Sequence, residues 1–211
     1  SMKASPVPGA VDLCITLLRQ YGTKSFEDAV APTLALLTRG TREWHADLAV
    51  TLGKLVETER LANGTREEKL TAARDRFYKG DVADDLEAWY KATGAFLRKR
   101  DLAAHKTVIE DPISVQYRGY TIYKCGPWTQ GPTLCQTLRL LEGFDLVNMG
   151  HLSANYIHLL TEALKLGFAD RDEYYGDPDF ADVPLESLLS DRYTELRRPL
   201  IDMTKASQER R

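Results

Sequence analysis

The stretch Ile113-Ser-Val-Gln-Tyr117-Arg118-Gly119-Tyr120-Thr-Ile-Tyr-Lys124 decides the fold class. Ile113, Val115 and Tyr117 alternate with Ser114 and Gln116, and a period of two marks a strand with two unlike faces. Tyr120 to Lys124 continues as a second run, rich in aromatic and β-branched residues. Arg118-Gly119 between them reads as a tight turn, a weaker signal than Asn-Gly. The stretch therefore predicts a β-hairpin. A lone hairpin is marginal in water and leaves two edges with unpaired N–H and C=O groups. It must pack on helices or extend a sheet supplied by something else.

Helical spacing surrounds the hairpin on both sides. Toward the N-terminus, Lys3 to Gly9 is an irregular lead-in, because Pro6, Pro8 and Gly9 oppose regular structure. Val11, Ile15 and Leu18 then recur at helical spacing from Ala10 to Tyr21, with Gly22 closing the element. Ser25-x-x-Asp28 reads as a capping box for a helix toward Leu37, with Pro32 kinking or shortening it and Gly40 ending it. Leu48, Leu52, Leu55 and Val56 predict a helix closed near Asn63-Gly64. Leu70, Ala73 and Phe77 predict another closed at Gly80, and Val82, Leu86, Trp89 and Tyr90 a third closed at Gly94.

Toward the C-terminus, Leu134, Leu138 and Leu141 share a helical face that Gly143 stops. Ser153 caps a longer helix whose stripe is Tyr156, Leu159, Leu160, Ala163, Leu164, Gly167 and Phe168, ended by Gly176 and Pro178. A last helix carries Tyr193 and Leu196 before Pro199, and the polar tail after Asp202 is expected to fray. The fold class is α+β, predominantly helical with a small β-hairpin. One domain over residues 1–211 is expected, with a helical part at about 10–105 and the hairpin with its helices at about 106–202.

Composition excludes several classes. The chain has 211 residues, 28 Lys+Arg against 31 Asp+Glu and a net charge of −3, which favours neither nucleic acid nor an anionic membrane surface. No apolar run reaches the roughly 20 residues of a membrane helix, so no membrane span is expected. The N-terminus shows no signal-peptide pattern, and Ser1-Met2 reads as an added start, so a soluble protein could be cytoplasmic or exported. Three cysteines, Cys14, Cys125 and Cys135, with no Cys-x-x-Cys, read as small buried residues rather than as a disulfide framework or zinc site.

Several constellations hold residue types that chemistry uses, and each has a plainer reading. Ser1 as an N-terminal nucleophile would need a rigid strand behind it, and Met-Lys-Ala-Ser-Pro follows. His151 and His158, with Asp170 or Glu162, lack the spacing of a zinc helix and read as packing or surface residues. Asp170 to Ala181 is acidic but breaks the calcium-loop pattern at Tyr174, Gly176 and Ala181, and reads as a solvated helix end. Glu162 and Lys165 read as a surface ion pair. Tyr117, Tyr120, Tyr123 and Trp128 have no basic groove beside them and read as core or interface packing. No nucleophile elbow and no phosphate loop is present.

Motifs in order carry a resemblance. Val7-Pro8-Gly9-Ala10-Val11, Tyr21-Gly22-Thr23, Phe77-Tyr78-Lys79-Gly80, Leu97 to His105, the block from Tyr117 to Gly131, Glu162 to Arg171 and Tyr174 to Phe180 together resemble gamma-glutamyltranspeptidases, over the C-terminal half of their large subunit. Ala95 stands where a second Gly is usual, His105 where Tyr is common, and Gly126-Pro-Trp-Thr-Gln-Gly131 varies a Pro-Pro-x-Ser-Ser-Gly-Gly loop. These departures put glutathione itself in doubt as the substrate.

The resemblance implies a fragment of an N-terminal-nucleophile hydrolase, an α-β-β-α sandwich built by two subunits cut from one precursor. It implies that a Thr beginning the small subunit, just after Arg211, attacks a gamma-glutamyl amide with its own α-amine as base, and that backbone N–H groups stabilise the oxyanion. No catalytic, substrate-binding or metal residue and no cofactor is assigned to this chain. Its implied partners are that small subunit, a gamma-glutamyl small molecule of the glutathione type in the complete enzyme, and a second copy of itself through exposed apolar surface. A non-catalytic helical interaction module and a beta-lactam side-chain acylase are the alternatives. The loop Gly126–Pro132 is the one segment expected to approach a substrate cleft, since Gly and Pro let backbone come close to a neighbour.

Overall fold

The first α-helices end where side chains begin to serve the backbone. In the computed structural model, which describes Lys3 and residues 5–209, α1 (Ala10–Tyr21), α2 (Phe26–Leu37), α3 (Glu43–Leu61), α4 (Arg66–Lys79), α5 (Asp81–Ala92) and α6 (Lys99–Ala104) make the first compact unit, which runs through Ile109. Ser25 and Asp28 form the expected capping box, and Thr65 and Glu68 form a second. α2 runs through Pro32 to Leu37, so the proline does not shorten it.

Long-range groups complete these ends. Glu59 of α3 accepts the Phe26 and Glu27 N–H groups at 2.7 and 2.8 Å, filling two donors that the first turn of α2 leaves open. Arg66 donates to the Leu18, Gly22 and Lys24 carbonyls, filling acceptors at the end of α1. α4 lies at the centre, touching α1, α3, α5 and α6. Its Leu70, Ala73 and Tyr78 are fully buried together with Ile15, Leu55 and Leu102.

The second unit begins at Glu110. β1 (Ile113–Tyr117) and β2 (Tyr120–Lys124) pair antiparallel, with Val115 opposite Ile122 and Tyr117 opposite Tyr120. Arg118 and Gly119 turn the chain with φ of 49° and 82°, the double positive φ of the type I′ two-residue hairpin loop. Arg118 tolerates it while its N–H donates to Glu142 at 2.9 Å and its guanidinium to the Phe144 carbonyl at 2.8 Å. The face holding Val115 packs on α7 (Gly131–Leu141), and the face holding Tyr123 is exposed. Among the described residues the sheet has these two strands alone, so each keeps one unpaired edge.

α7 packs on α9 (Ala154–Tyr174), which Ser153 caps as expected. The helices approach closely at Gly167, where an added Cβ would stand 3.0 Å from the Thr137 hydroxyl and 3.3 Å from the Thr133 carbonyl. Leu140, Leu141, Leu159, Ala163, Leu166 and Ile201 form the core of this unit. α8 (Leu146–Met149), α10 (Leu185–Leu188) and α11 (Asp191–Arg197) complete it, followed by a 3-10 turn at Arg198–Leu200. Helices α6, α8 and α10 were not expected, because four to six residues are too few to show a period.

Some faces differ from the reading of the sequence. Leu134 is 42 % exposed, whereas Leu141 is buried as expected, and the inner side of α7 also carries Pro132, Cys135, Gln136 and Leu140. Cys135 is buried, but Cys14 and Cys125 are exposed. Tyr120, Tyr123 and Trp128 are exposed as well, so they do not belong to the core. None of the described helices is long and apolar enough to cross a membrane.

Candidate functional site

The loop that leads from β2 into α7 is built around one glycine. A Cβ on Gly131 would stand 2.3 Å from the Cys125 carbonyl oxygen and 2.9 Å from Lys124 Cβ, so the start of α7 presses directly on the end of β2. Thr129 locks the turn: its hydroxyl donates to the Gly126 carbonyl at 2.9 Å and accepts the Gly131 N–H at 3.0 Å. Trp128 is 56 % exposed, and its indole N–H donates to Glu110 at 2.7 Å. The loop thus presents one oriented aromatic ring and close-packed backbone. Gly131→Ala should lower unit stability by about 1–3 kcal/mol, because the nearest atom it meets, the Cys125 carbonyl oxygen, is backbone and cannot rotate away. A thermal melt within a degree of the parent would refute the close approach.

Two buried carboxylates organise the rest. Asp170, near the end of α9, is 5 % exposed. It accepts from the Tyr193 hydroxyl at 2.8 Å and the Gln136 amide at 2.9 Å, and Arg197 lies 3.1 Å away. Tyr175 donates to the Gln136 oxygen at 2.5 Å, which extends the network. Burial holds the Asp170 carboxyl above its usual range despite these partners. Burial, with the hydrogen bond to Asp170, pushes the Tyr193 phenol up to about 12. The acidic segment was expected to be a solvated helix end. Asp170 faces inward because α9 turns it onto the same side as Leu159, Ala163 and Leu166.

Asp12, in the first turn of α1, is 2 % exposed. It accepts from Arg74, from the Thr107 N–H at 2.5 Å and from the Thr107 hydroxyl at 2.8 Å. Tyr78 accepts the Asp12 N–H at 3.0 Å and donates to the Pro8 carbonyl at 2.6 Å, so the lead-in is tied down from inside. Burial alone would raise the Asp12 carboxyl, but Arg74 and Thr107 hold it below the usual range. An open groove between α1, α4 and residues 103–109 borders this node.

The candidate metal and nucleophile residues lie apart or are otherwise engaged. Ser1 lies outside the described residues. His158 meets the Asp202 carbonyl at 2.8 Å, and His151 stacks edge-on against Tyr156. Glu162 is buried rather than part of a surface pair, held by Lys165 and the Ser207 N–H. Asp172 pairs with Arg171, and Asp177 accepts the Asp179 N–H. Among the described residues no three His, Cys, Asp or Glu side chains converge as a metal site would require. Sequence reasoning missed both Asp12 and Asp170 as organising groups. The single available signal was an acidic residue placed on the apolar face of each helix.

Comparison with known proteins agrees with this architecture. The profile of the gamma-glutamyltranspeptidase family matches residues 44–211. The chain is 34% identical over 229 residues to a glutathione hydrolase proenzyme of Escherichia coli, covering 96% of this chain and 40% of that protein. It is 32% identical over 233 residues to an acylase proenzyme of Pseudomonas sp., covering 97% and 41%. The structure superposes on gamma-glutamyltranspeptidase from Pseudomonas nitroreducens with a TM-score of 0.76 at 26% identity, covering 98% of this chain and 68% of that one. This chain belongs to the gamma-glutamyltranspeptidase family. It spans about two fifths of the length of the curated relatives it matches.

Proposed function

We propose that this chain is the C-terminal part of the large subunit of a self-processing enzyme that transfers or hydrolyses a gamma-glutamyl group. The family match over residues 44–211, with full-length relatives that are proenzymes, carries this reading. The small subunit made from the same precursor supplies an N-terminal Thr whose hydroxyl attacks the amide carbonyl while its α-amine takes the proton. The acyl-enzyme then passes to water or an acceptor amine, and backbone N–H groups hold the oxyanion. The present chain is scaffold: helices in the outer layer and a hairpin whose free edges extend a sheet of the α-β-β-α sandwich. The whole of residues 1–211 serves as one part of that subunit. Its exposed tyrosines and free edges also suit self-association of the isolated chain.

The test is p-nitroaniline release from gamma-glutamyl-p-nitroanilide by the full-length precursor, read beside its cleavage into two chains. Cleavage with release is expected, and the 211-residue chain alone should give none. Turnover by that chain alone would overturn the scaffold reading. The acylase relative at 32% identity favours a second reading, an acylase, for which we propose a beta-lactam side chain as substrate. Cleavage followed by faster hydrolysis of an acylated cephalosporin than of the anilide would select it. A precursor that neither cleaves nor turns over would point to a non-catalytic interaction module.

A further inference from the structure

His158, Glu162 and Lys165 stand at i, i+4 and i+7 of α9, in one row along the helix. All three hold the segment that follows Ile201. His158 Nε2 lies 2.8 Å from the Asp202 carbonyl oxygen. Lys165 Nζ donates to Glu162 Oε1 and to the Ser207 carbonyl, both at 2.7 Å. The Ser207 N–H is shared between the two Glu162 oxygens at 3.3 Å each. Ile201 is buried and Met203 packs on the same core, while Asp202 closes a turn by accepting from the Thr204 N–H and hydroxyl at 2.8 and 2.6 Å.

The described part of the tail expected to fray, through Glu209, is therefore fastened, and beyond Met203 by polar groups. Thr204 to Glu209 has no apolar period that could hold it. Glu162 is 4 % exposed, and a buried carboxylate is expensive unless it is paired and hydrogen-bonded. Burial alone would raise its carboxyl, but Lys165 and the Ser207 N–H keep it below the usual range. The segment and the helix row thus complete each other. The helix row takes up the Ser207 N–H and carbonyl, and Glu162 and Lys165 each gain a further partner from the segment.

We infer that residues 201–209 form a strap, fastened by His158, Glu162 and Lys165, that fixes where the chain leaves this unit toward the processing junction and thereby sets the rate of self-cleavage. The inference rests on the proenzyme reading above. In self-cleavage the Thr hydroxyl oxygen attacks the carbonyl carbon of the peptide bond before it. That C–N bond breaks, its nitrogen takes the hydroxyl proton and becomes the new α-amine, and water hydrolyses the resulting ester to a carboxylate and a restored hydroxyl. The attack needs oxygen and carbonyl carbon held about 3–3.5 Å apart, and small misplacements from distant changes can slow such steps about 100-fold. A strap that anchors one end of the connecting chain narrows its conformations. These residues are positioning residues: they act through the connecting chain and not on the reacting atoms.

The test compares full-length precursors carrying Lys165→Met and Lys165→Arg with the wild type. Hydrogen exchange over residues 202–209, the self-cleavage half-time, and kcat and KM of the processed enzyme are measured. Lys165→Met should exchange about tenfold faster at Ser207 and cleave about tenfold more slowly, since both hydrogen bonds of the ammonium are lost. Once processed, its kcat and KM should match the wild type, and Lys165→Arg should restore most of the cleavage rate. Faster exchange with an unchanged cleavage rate would overturn the inference while leaving the proenzyme reading intact. Unchanged exchange would overturn the fastening itself. A wild-type precursor that neither cleaves nor turns over would overturn the underlying reading, and the inference with it.

Discussion

Asp12→Ala should remove about 3–5 kcal/mol from the stability of the unit through Ile109, the loss expected when one partner of a buried ion pair is deleted. Asp12 joins α1 to residues 62 and 95 positions further along the chain, at Arg74 and Thr107. Without it the Arg74 guanidinium, 13% exposed, stays buried with a weaker share of negative charge. The Thr107 N–H and hydroxyl lose their acceptor as well. Asp12→Asn keeps an acceptor oxygen and removes the charge, so its loss should be smaller, about 1–3 kcal/mol. Urea unfolding read at unit 1 amides checks both, and an alanine variant within about 0.5 kcal/mol of the parent would sink the account. The acid response has a definite sign. The folded carboxyl lies below its ordinary value, so its contribution is present above about pH 3.9 and fades as pH falls through the folded value. The gap between parent and alanine variant should therefore narrow in acid.

Elements whose cause is local were legible in the sequence. The Ser25 capping box, the Ser153 cap and the Ile113–Lys124 hairpin each depend on residues within a few positions, and each lies where the spacing put it. The motifs in order were enough to indicate the family, because most of them sit at element ends where backbone geometry restricts the residue, with Glu162 to Arg171 inside α9 the exception. Buried charge was not legible. Asp170 finds Tyr193, 23 residues away, and Gln136, 34 away, so nothing near it in the sequence distinguishes it from a solvated acid. The same cause misled the reading of Glu162 and of the tail, which satisfy each other across 45 residues. In the loop before α7, Gly131 was visible as a punctuation mark, but its 2.3 Å approach to Cys125 follows only once β2 and α7 are both in place. A helical face is also easily set one residue off when a threonine or glutamine is buried, as on α7, where Gln136 and Thr137 lie inside and Leu134 does not.

Asp170→Ala should cost the second unit about 3–5 kcal/mol, by the same mechanism but with the opposite dependence on pH. The substitution takes a carboxylate away from Arg197, Tyr193 and Gln136 together, and Gln136 in turn holds Tyr175 and the Leu188 carbonyl. α7, α9 and α11 all contribute to this network, so its loss loosens three helices rather than one. Asp170→Asn preserves volume and an acceptor and should lose only about 1–2 kcal/mol at neutral pH. Here burial outweighs the partners and holds the folded carboxyl above its ordinary value, so folding favours the protonated form. The stability this group contributes is then complete below about pH 3.9 and is lost as pH rises through the folded value. Unfolding free energies of the parent and Asp170→Asn, measured from pH 4 to 7, should show the parent's margin shrinking as pH rises. A margin that grew with pH would mean that Arg197 and Tyr193 dominate over burial. Asp170 would then act as an ordinary ion-pair carboxylate, as Asp12 does in the first unit.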